Sequence, residues 1–479
     1  MRKRPNILLI MTDEQRVSEC GAYGETPCLT PNLDKLAGES HLFKNAYTSC
    51  PLCSPARASV LTGLYPHSHG VTCNVDDLGC NVPELNDSPS LLPRILSANG
   101  YVCGFNGKWH LGTAGGNAFN SGRRAALPSH FGFAGMDFPG HGGIGMGYPQ
   151  YKQYLQDNSY SVNVDVKKDM EPLLYGVWQG DEKAGVPYFI TDYTISLMED
   201  FRKRDKPFFM HHNFWGPHQP YFVPEKYLRM YDDVMVPQWN NFECGQNQLG
   251  NHCQLRRLPG SNRTNWKAWQ NLIKHKYAFM TYIDYQIGRM LEYLDKSGLA
   301  ENTVVIFTTD HGDNLGGHGG LIDKGFVHFE DTHRIPLIVR DATRRSIRHE
   351  ELVSLLDVYP TILTAAGIAL PGHIHGRPLT SANTPRREYV VTEFHGLNNV
   401  MLSMRTVRCG NMKYGWTCGT DELYDLSFDP AEMNNLAGKT EYKQVLNELK
   451  LKLMDWMREY SDPVLGQYER TVRELCQKQ

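Results

Sequence analysis

Two runs of consecutive apolar residues, far apart in the chain, lead directly into acidic residues. The first covers residues 6–11 and is followed closely by Asp13, and the second covers residues 303–309 and is followed by Asp310. An unbroken apolar run is typical of a strand that is buried on both faces of a parallel sheet. The carboxyl ends of parallel strands share one edge, where ligands bind in open α/β sheets. We therefore expect Asp13 and Asp310 to converge.

Helical and extended patterns alternate along the first three quarters of the chain. Predicted helices cover residues 90–98, 191–202, 266–294 and 355–366, and further predicted strands cover 101–105, 207–211 and 334–339. In the longest helix, apolar residues recur every three or four positions, as expected for a face that packs against the core. Strands that alternate with helices predict the α/β class, with a large, mostly parallel sheet flanked by helices.

The pattern changes after about residue 376. Short extended segments at 389–392, 404–407, 412–416 and 422–426 are joined by Gly, Asn and Asp turns, which favours an antiparallel sheet, and a helix is predicted near 442–460. We therefore divide the chain into an α/β domain, residues 1–375, and a smaller α+β domain, residues 376–479. Two long loops rich in Gly, Asn and Gln, at about 110–150 and 236–262, are expected to border the active site.

Composition and charge exclude several classes of function. The 479 residues are enough for one large domain and a smaller one. With 49 basic and 52 acidic residues the net charge is −3, so no long-range field favours nucleic acid or an anionic membrane. The apolar run near the N-terminus is too short for a signal peptide or a membrane span, and we expect a cytoplasmic protein. The 12 irregularly spaced cysteines are expected to be reduced thiols.

The most informative stretch of the sequence is Cys53-Ser54-Pro55-Ala56-Arg57. Pro55 suits the first position of a helix, and Gly63 suits the residue just past its last turn. Cys53 would then lie at the positive end of the helix, where free backbone N–H groups and Arg57 attract a tetrahedral oxyanion. Cys50 and Cys53 also form a CxxC pair, so a redox pair, half of a zinc site and a buried structural cysteine are alternatives.

The two predicted strand ends carry a set of candidate metal ligands. Asp13-Glu14 and Asp310-His311 offer three carboxylates and an imidazole, and carboxylate oxygens suit Ca²⁺, Mg²⁺ or Mn²⁺. Three carboxylates that cluster without a cation repel each other and lose hydration, so their convergence implies a metal ion.

Three more segments carry candidate residues. Lys108 and His110 can point the same way from the extended segment Gly107–Gly112, His218 follows the predicted strand at 207–211, and Lys324 follows a Gly-Gly pair. A near-neutral pKa suits His218 to transfer a proton.

Together these motifs resemble those of the formylglycine-dependent sulfatases, in the alkaline-phosphatase-like superfamily. The resemblance rests on Asn6–Gln15, the CxPxR stretch, Gly107–Gly112 (GKWHLG), Gly216–Pro220 (GPHQP), Thr309–Gly312 (TDHG) and Leu423–Leu426 with Asp429-Pro430, and so spans most of the chain. It implies an alkaline-phosphatase-like fold. It also implies that a formylglycine-generating enzyme converts Cys53 to formylglycine, whose hydrated aldehyde is the nucleophile.

The resemblance also implies a role for each candidate residue. The metal ligands would be Asp13, Glu14, Asp310, His311 and the converted Cys53, and the catalytic residues would be Cys53, Arg57, Lys108, His110, His218 and Lys324. Lys108 and Lys324 would bind sulfate oxygens, His110 would contact the hydrated aldehyde, and His218 would be a general acid or a clamp on the leaving oxygen.

Two residues depart from the family pattern. Glu14 stands where sulfatases usually have Asp, and His311 stands where many have Asn. Imidazole shifts the preference from Ca²⁺ toward Mn²⁺. We expect one divalent ion, Ca²⁺, with Mn²⁺ or Mg²⁺ as alternatives.

The predicted function is hydrolysis of a small sulfate monoester, with a sulfated sugar or glycan fragment as the substrate. The prediction of a sugar substrate is based on aromatic residues in the predicted loops, Trp215, Tyr221, Trp239 and Trp266. Two alternatives are kept. One is a phosphonate monoester or phosphodiester hydrolase on the same fold, and the other is a non-catalytic metal- or sulfate-binding protein or a thiol-redox protein.

Overall fold

The described residues of the chain form three β-sheets, of which the largest has nine strands. The computed structural model describes residues 4–75, 77–113, 126–141, 143–243, 250–380 and 385–476. The strands of the large sheet are β1 (Asn6–Thr12), β2 (His41–Tyr47), β3 (Val102–Gly107), β4 (Ala134–Gly135), β7 (Phe208–Asn213), β9 (Thr303–Thr309), β10 (Arg334–Ile335), β11 (Leu337–Arg340) and β12 (Ile347–Ser354). They are arranged in the order β10-β2-β11-β9-β1-β7-β3-β4, with β12 paired to β2.

The centre of this sheet is parallel and buried on both faces. Strands β9, β1, β7, β3 and β4 run parallel to one another, whereas β11 is antiparallel to β9. Every residue of β1 and β9 is buried. Along β1, Leu8 and Ile10 join one hydrophobic core, whereas Ile7, Leu9 and Met11 join the core on the opposite face. The structure therefore confirms the α/β class and the mostly parallel sheet flanked by helices.

Helices cover both faces of the large sheet and the outer side of the C-terminal sheet. The α-helices of the described residues are Pro31–Ala37, Cys53–Thr62, Pro66–His69, Leu92–Ala98, Pro149–Asp157, Val186–Arg202, Glu225–Leu228, Trp266–Lys296, Gly317–Gly320, Glu330–His333, Val358–Ala365, Lys443–Glu459 and Leu465–Cys476. Over the described ranges, no helix combines the length and apolar character needed to cross a membrane. The cytoplasmic location stays a prediction.

Several elements of the large sheet were not predicted. Strands β2 and β12 were missed because both mix polar with apolar residues. The predicted strand at 334–339 is divided into β10 and β11 around Pro336, and both pieces run antiparallel to β2. Proline lacks the N–H that a continuous strand would use there.

A small three-stranded sheet was also missed. It consists of β5 (Asn163–Lys167), β6 (Tyr175–Gln179) and β8 (Tyr221–Pro224), in the order β5-β6-β8. The strands are short, and β8 lies far along the chain from β6, so no local pattern shows that the two pair.

The C-terminal part forms the predicted four-stranded antiparallel sheet. Its strands are β13 (Tyr389–Leu397), β14 (Val400–Cys409), β15 (Met412–Thr417) and β16 (Thr420–Asp425), paired in chain order. The helix Lys443–Glu459 packs on this sheet through Leu449, Leu453 and Trp456, which meet Val407 and Trp416. The boundary between residues 375 and 376 stays a prediction.

Candidate active site

The predicted strand ends meet at one edge of the large sheet. Strands β1 and β9 are adjacent and parallel, with Thr12 opposite Thr309, so Asp13 and Asp310 follow at equivalent positions. Both aspartates are fully buried. The backbone N–H of Glu14 donates to Asp310 Oδ1 at 3.1 Å, which ties the two strand ends together.

Cys53 lies at the N-terminus of the helix Cys53–Thr62, facing this edge. The helix begins at Cys53 itself, two residues before the start that Pro55 suggested. It ends at Gly63, whose φ of 69° lies in the left-handed region that favours glycine. The Sγ atom of Cys53 is 3.3 Å from His311 Nε2 and 3.7 Å from Asp13 Oδ1. The cysteine is therefore at the centre of the predicted site.

Four of the five predicted ligands form one compact group. Asp13, Cys53, Asp310 and His311 each offer a ligand atom, and these atoms lie within 4.8 Å of one another. His311 Nδ1 contacts the carbonyl oxygen of Gly312 at 2.9 Å, which leaves Nε2 directed at the group. Asp310 Oδ2 accepts no hydrogen bond of normal geometry among the described residues, although Arg57 Nη2 forms an ion pair with it. Two carboxylates and an imidazole fit a divalent cation.

Buried cations surround this group. The ammonium group of Lys108 contacts Asp13 directly. Arg57 Nη2 is 2.8 Å from Asp310 Oδ2, and Arg57 Nη1 donates to Asn213 Oδ1 at 2.8 Å and to Lys108 O at 3.2 Å. Burial opposes ionisation of Asp13, but Lys108 and the other nearby cations outweigh it and hold the pKa of Asp13 well below its usual value.

The two thiols of the CxxC pair lie in different environments. Burial and Asp13 oppose ionisation of Cys53, yet Lys108, Lys324 and His311 together lower its pKa. Cys50 instead packs among apolar side chains, and burial raises its pKa well above the ordinary value. A reactive thiol needs the first kind of environment, so the electrostatics select Cys53 over Cys50.

Glu14 is not among the four grouped ligands. Its φ of 60° is unusual for a residue other than glycine, and its carboxylate lies 3.2 Å from His218 Nε2 and 3.4 Å from Lys324 Nζ. Its assignment as a ligand of the same ion as Asp13 stays a prediction. Glu14, His218 and Asp323 form a second group whose ligand atoms lie within 4.8 Å of one another.

Within this second group, the negative charge lies on Asp323 rather than on Glu14. Burial and Asp323 raise the pKa of Glu14 well above its usual value despite Lys324. Burial acts in the same direction on Asp323, but Lys324 and Arg256 outweigh it and lower the pKa of Asp323. Burial opposes the charge of Lys324, yet Asp323 keeps its pKa well above the ordinary value.

Three histidines line the site on the side of Lys108. His141 is in ring contact with His110, at 5.3 Å between centroids, and with His218, at 4.7 Å. Burial and Lys108 lower the pKa of both His110 and His141 well below the usual value, and burial with Lys324 lowers that of His218 to about 3. All three rings are therefore neutral at neutral pH.

Among the described residues, Asp323, His141 and Asn213 contact the site and were not predicted. His141 lies in the first Gly-rich loop, which was predicted only as a border of the site. Asn213 ends β7, the strand next to β1 in the sheet, and binds Arg57. The strand-end argument applied to β7 would have identified Asn213, whereas no sequence signal distinguishes His141 from other loop histidines. Residues 114–125, 142 and 244–249 of the two predicted loops lie outside the described residues.

The aromatic residues considered for sugar contact are mostly packed. Trp215 and Tyr221 are buried. Trp215 also donates its Nε1–H to His141 O at 2.6 Å, which fixes the His141 loop. Trp239 and Trp266 pack edge to face at 5.5 Å between centroids. These contacts give Trp215 and Tyr221 a packing role.

Comparison with known proteins agrees with this arrangement. The sulfatase family profile matches residues 5–368, and the profile described as N-sulphoglucosamine sulphohydrolase, C-terminal, matches residues 316–459. The chain is 30% identical over 471 residues to the uncharacterized sulfatase YidJ of Escherichia coli, which covers 96% of this chain and 88% of YidJ.

Solved structures share the fold. One is BT4656 in complex with its substrate D-glucosamine-2-N,6-O-disulfate, with a TM-score of 0.72 and 22% identity over 96% of this chain and 99% of that chain. Another is the phosphonate monoester hydrolase of Agrobacterium radiobacter, with a TM-score of 0.75 and 22% identity over 95% of this chain and 96% of that chain. Because the family profile covers most of its length, the chain belongs to the sulfatase family of sulfuric ester hydrolases.

Proposed function

We propose that the protein hydrolyses the sulfate monoester of an amino sugar or a small glycan fragment, with Cys53 converted to formylglycine. The observation that carries the proposal is the position of Cys53 at a helix N-terminus, 3.3 Å from His311 and surrounded by Asp13, Lys108 and Arg57. In this structure Cys53 is the thiol, and its Sγ marks the space that the oxygens of the converted side chain would fill.

One divalent ion, Ca²⁺ in our proposal, would be held by Asp13, Asp310, His311 and the converted Cys53, and would polarise a sulfate oxygen and the nucleophile as a Lewis acid. His311 makes Mn²⁺ a competitor for the same site, because imidazole suits transition metals better than it suits Ca²⁺. Glu14 would join this set only if its side chain turned away from Lys324.

The cations of the chain bind and orient the sulfate group. Lys108 is buried beside Asp13, and Lys324 is buried beside Glu14, so the two ammonium groups flank Cys53 from different elements. Arg57 is held in place by Asn213 and Asp310. These groups are already ordered, so they can stabilise negative charge as it develops on the sulfate oxygens without further reorganisation.

The histidines transfer protons. His110 is neutral, and its Nδ1 has no hydrogen-bond partner among the described residues. It can therefore accept the proton of the second hydroxyl of the converted Cys53, while the C–O bond to the sulfate group breaks, sulfate leaves and the aldehyde re-forms. His218 contacts Gln219 O through Nδ1 at 2.7 Å, and a carbonyl can only accept, so Nδ1 carries the proton of the neutral ring. His218 Nε2 can therefore donate to the leaving oxygen only when the ring is doubly protonated, a form that a bound sulfate anion favours.

The amino sugar is supported by two comparisons. The C-terminal profile is that of N-sulphoglucosamine sulphohydrolase, and BT4656 was solved with a sulfated glucosamine. The phosphonate monoester hydrolase on the same fold keeps the alternative reaction open. A sulfate monoester and a phosphonate monoester each carry one negative charge, so comparing them as substrates measures the preference for sulfur over phosphorus without a difference in charge.

The test uses protein expressed together with a formylglycine-generating enzyme. Mass spectrometry of the peptide that contains Cys53 should show the conversion. The protein should then hydrolyse 4-nitrophenyl sulfate faster than an aryl phosphonate monoester. Cys53→Ala should lose turnover, whereas Cys80→Ser, which changes a thiol whose polar contacts among the described residues are the carbonyl oxygens of Gly70 and Cys73, should keep it.

A panel of glucosamine derivatives with one sulfate at a defined position should identify the ester that is cleaved. Unconverted Cys53 in active protein, or faster cleavage of the phosphonate, would contradict the proposal. Cleavage of aryl sulfate without cleavage of any sulfated amino sugar would support the proposed sulfatase reaction but contradict the proposed amino-sugar substrate.

A further inference from the structure

A second cluster of metal-ligating side chains lies outside the active site. It contains His252, His328 and Glu422, whose ligand atoms lie within 4.8 Å of one another. His252 lies in the second predicted loop, in the short 3₁₀ helix Asn251–Arg256. His328 precedes the helix Glu330–His333, and Glu422 lies on β16 of the C-terminal sheet. The cluster therefore joins three segments that are distant in sequence. None of its residues belongs to the group around Cys53.

The cluster is buried and incompletely satisfied. The side chains of His252 and Glu422 are only 7% and 4% exposed, and His328 is buried as well. His252 Nε2 is 3.1 Å from Glu422 Oε1, but the geometry is not that of a hydrogen bond, and neither atom finds another partner in the part of the chain that the structure describes. Buried polar atoms are normally paired, so two orphaned atoms that face each other require an explanation.

The surrounding residues orient the cluster. Tyr424 OH donates to Glu422 Oε2 at 2.8 Å, which leaves Oε1 directed at the histidines. His328 contacts the hydroxyl oxygens of Thr406 and Thr417 through its two ring nitrogens, at 2.7 and 2.8 Å. Only one of these nitrogens is needed for a metal ion, and the other hydroxyl contact would then fix the ring, as outer contacts do in metal sites.

We propose that His252, His328 and Glu422 form a second metal site, which binds Zn²⁺. Two imidazoles and one carboxylate form a frequent set of protein ligands for zinc, with water in the fourth position. A bound ion would give His252 Nε2 and Glu422 Oε1 the partner that they lack. Nitrogen-rich ligands also separate this site from the carboxylate-rich group at Cys53, which suits a harder ion.

The position of the site assigns it a positioning role. Just beyond His252, Leu258 N donates to Gly320 O at 2.9 Å, and Ile322 N donates to Arg256 O at 2.7 Å. Arg256 also forms an ion pair with Asp323, which lies 3.1 Å from Lys324. A zinc ion that fixes His252 would therefore also hold residues 256–258, which in turn hold the segment 320–323 that precedes Lys324.

The experiment measures zinc in the full-length protein. The wild type is stripped with a chelator, supplied with Zn²⁺, desalted and analysed by inductively coupled plasma mass spectrometry. It should retain one equivalent more than His252→Ala or Glu422→Gln. His275→Ala should retain as much zinc as the wild type, because His275 lies in the helix Trp266–Lys296, outside the cluster, and its Nδ1 contacts Asn271 O. Tyr424→Phe should weaken zinc binding by about 10- to 100-fold, because it removes only an outer contact.

Any zinc bound at the active site is present in the wild type and in all four variants, so it cancels when each variant is compared with the wild type. Equal zinc in the wild type and both ligand variants would overturn the proposal. If a variant does not fold, crystals of the wild type soaked in Zn²⁺ decide the question. Anomalous difference density at the zinc edge between the three side chains is the expected result, and its absence there would overturn the assignment.

Discussion

Replacement of Arg57 by lysine tests whether the site depends on the shape of the guanidinium group rather than on its charge. Arg57 bonds Asn213 and the carbonyl of Lys108 through one nitrogen and Asp310 through another. The three acceptors surround a planar fork, whereas lysine offers a single ammonium group. Arg57→Lys therefore keeps the positive charge but cannot reach all three of these acceptors at once.

The contacts set the size of the effect. A hydrogen bond to a charged group contributes about 1.5–3 kcal/mol. Loss of two such bonds amounts to about 3 kcal/mol at the lower limit, which is about 10²-fold in rate when the transition state needs both. Because Arg57 also holds Asp310 beside Cys53, the loss should fall on the chemical step. We expect kcat/KM to decrease by about 10²-fold.

The assay is the hydrolysis of 4-nitrophenyl sulfate by converted protein. Mass spectrometry of the Cys53 peptide must accompany each rate, since a substitution at Arg57 could also reduce the conversion of Cys53. Arg202→Lys is the matched control, because Arg202 forms an exposed pair with Glu199 and should change the rate little. Fully converted Arg57→Lys with a kcat/KM within about threefold of the wild type would refute the reasoning, since that is under 1 kcal/mol.

Three further predictions address proton transfer, the metal ion and stability. His218→Gln should slow cleavage of a sugar sulfate by about 10²- to 10⁴-fold but that of 4-nitrophenyl sulfate far less, because nitrophenolate leaves without a proton; equal losses with the two substrates would contradict the acid role. Dialysis against a chelator should abolish turnover, and added Ca²⁺ should restore it; full activity after verified removal of metal would contradict this. Burial opposes protonation of His67, but Glu393, 2.7 Å away, raises its pKa above 6.5. The stability lost in His67→Gln, measured by urea unfolding, should therefore be largest below pH 6.5 and should shrink as the pH rises through the raised pKa, and a loss that grows with pH would contradict the assignment.

The sequence was sufficient for the parts of the site that follow from strand ends. Apolar runs identified β1 and β9, and the geometry of parallel sheets then placed Asp13 beside Asp310. Helix signals likewise placed Cys53 at a helix N-terminus, although the start differed by two residues from the one indicated by Pro55. Each of these inferences depends on local periodicity or local capping, which a single sequence contains.

The remaining parts depend on contacts between distant segments. His141 reaches His110 and His218 through a loop without regular structure, and Trp215 holds that loop from another strand end. The sheet β5-β6-β8 pairs strands across a long separation in sequence. No periodicity within one segment encodes such pairing, so these features required the structure.

Glu14 shows how a distant residue changes the role of one that the sequence identifies. Adjacent Asp13 and Glu14 predict two carboxylates at one ion, but only Asp13 faces His311 and Cys53. Lys324 and His218 attract the Glu14 carboxylate to the other side of the site, where burial and Asp323 raise its pKa. The negative charge expected from Glu14 is instead supplied by Asp323, whose pKa Lys324 and Arg256 lower against the effect of burial. The site thus keeps the number of carboxylate charges that the motifs predict but places one of them beside Lys324. That placement balances the charge of Lys324 before substrate binds, so an incoming sulfate must compete with Asp323 for the same ammonium group.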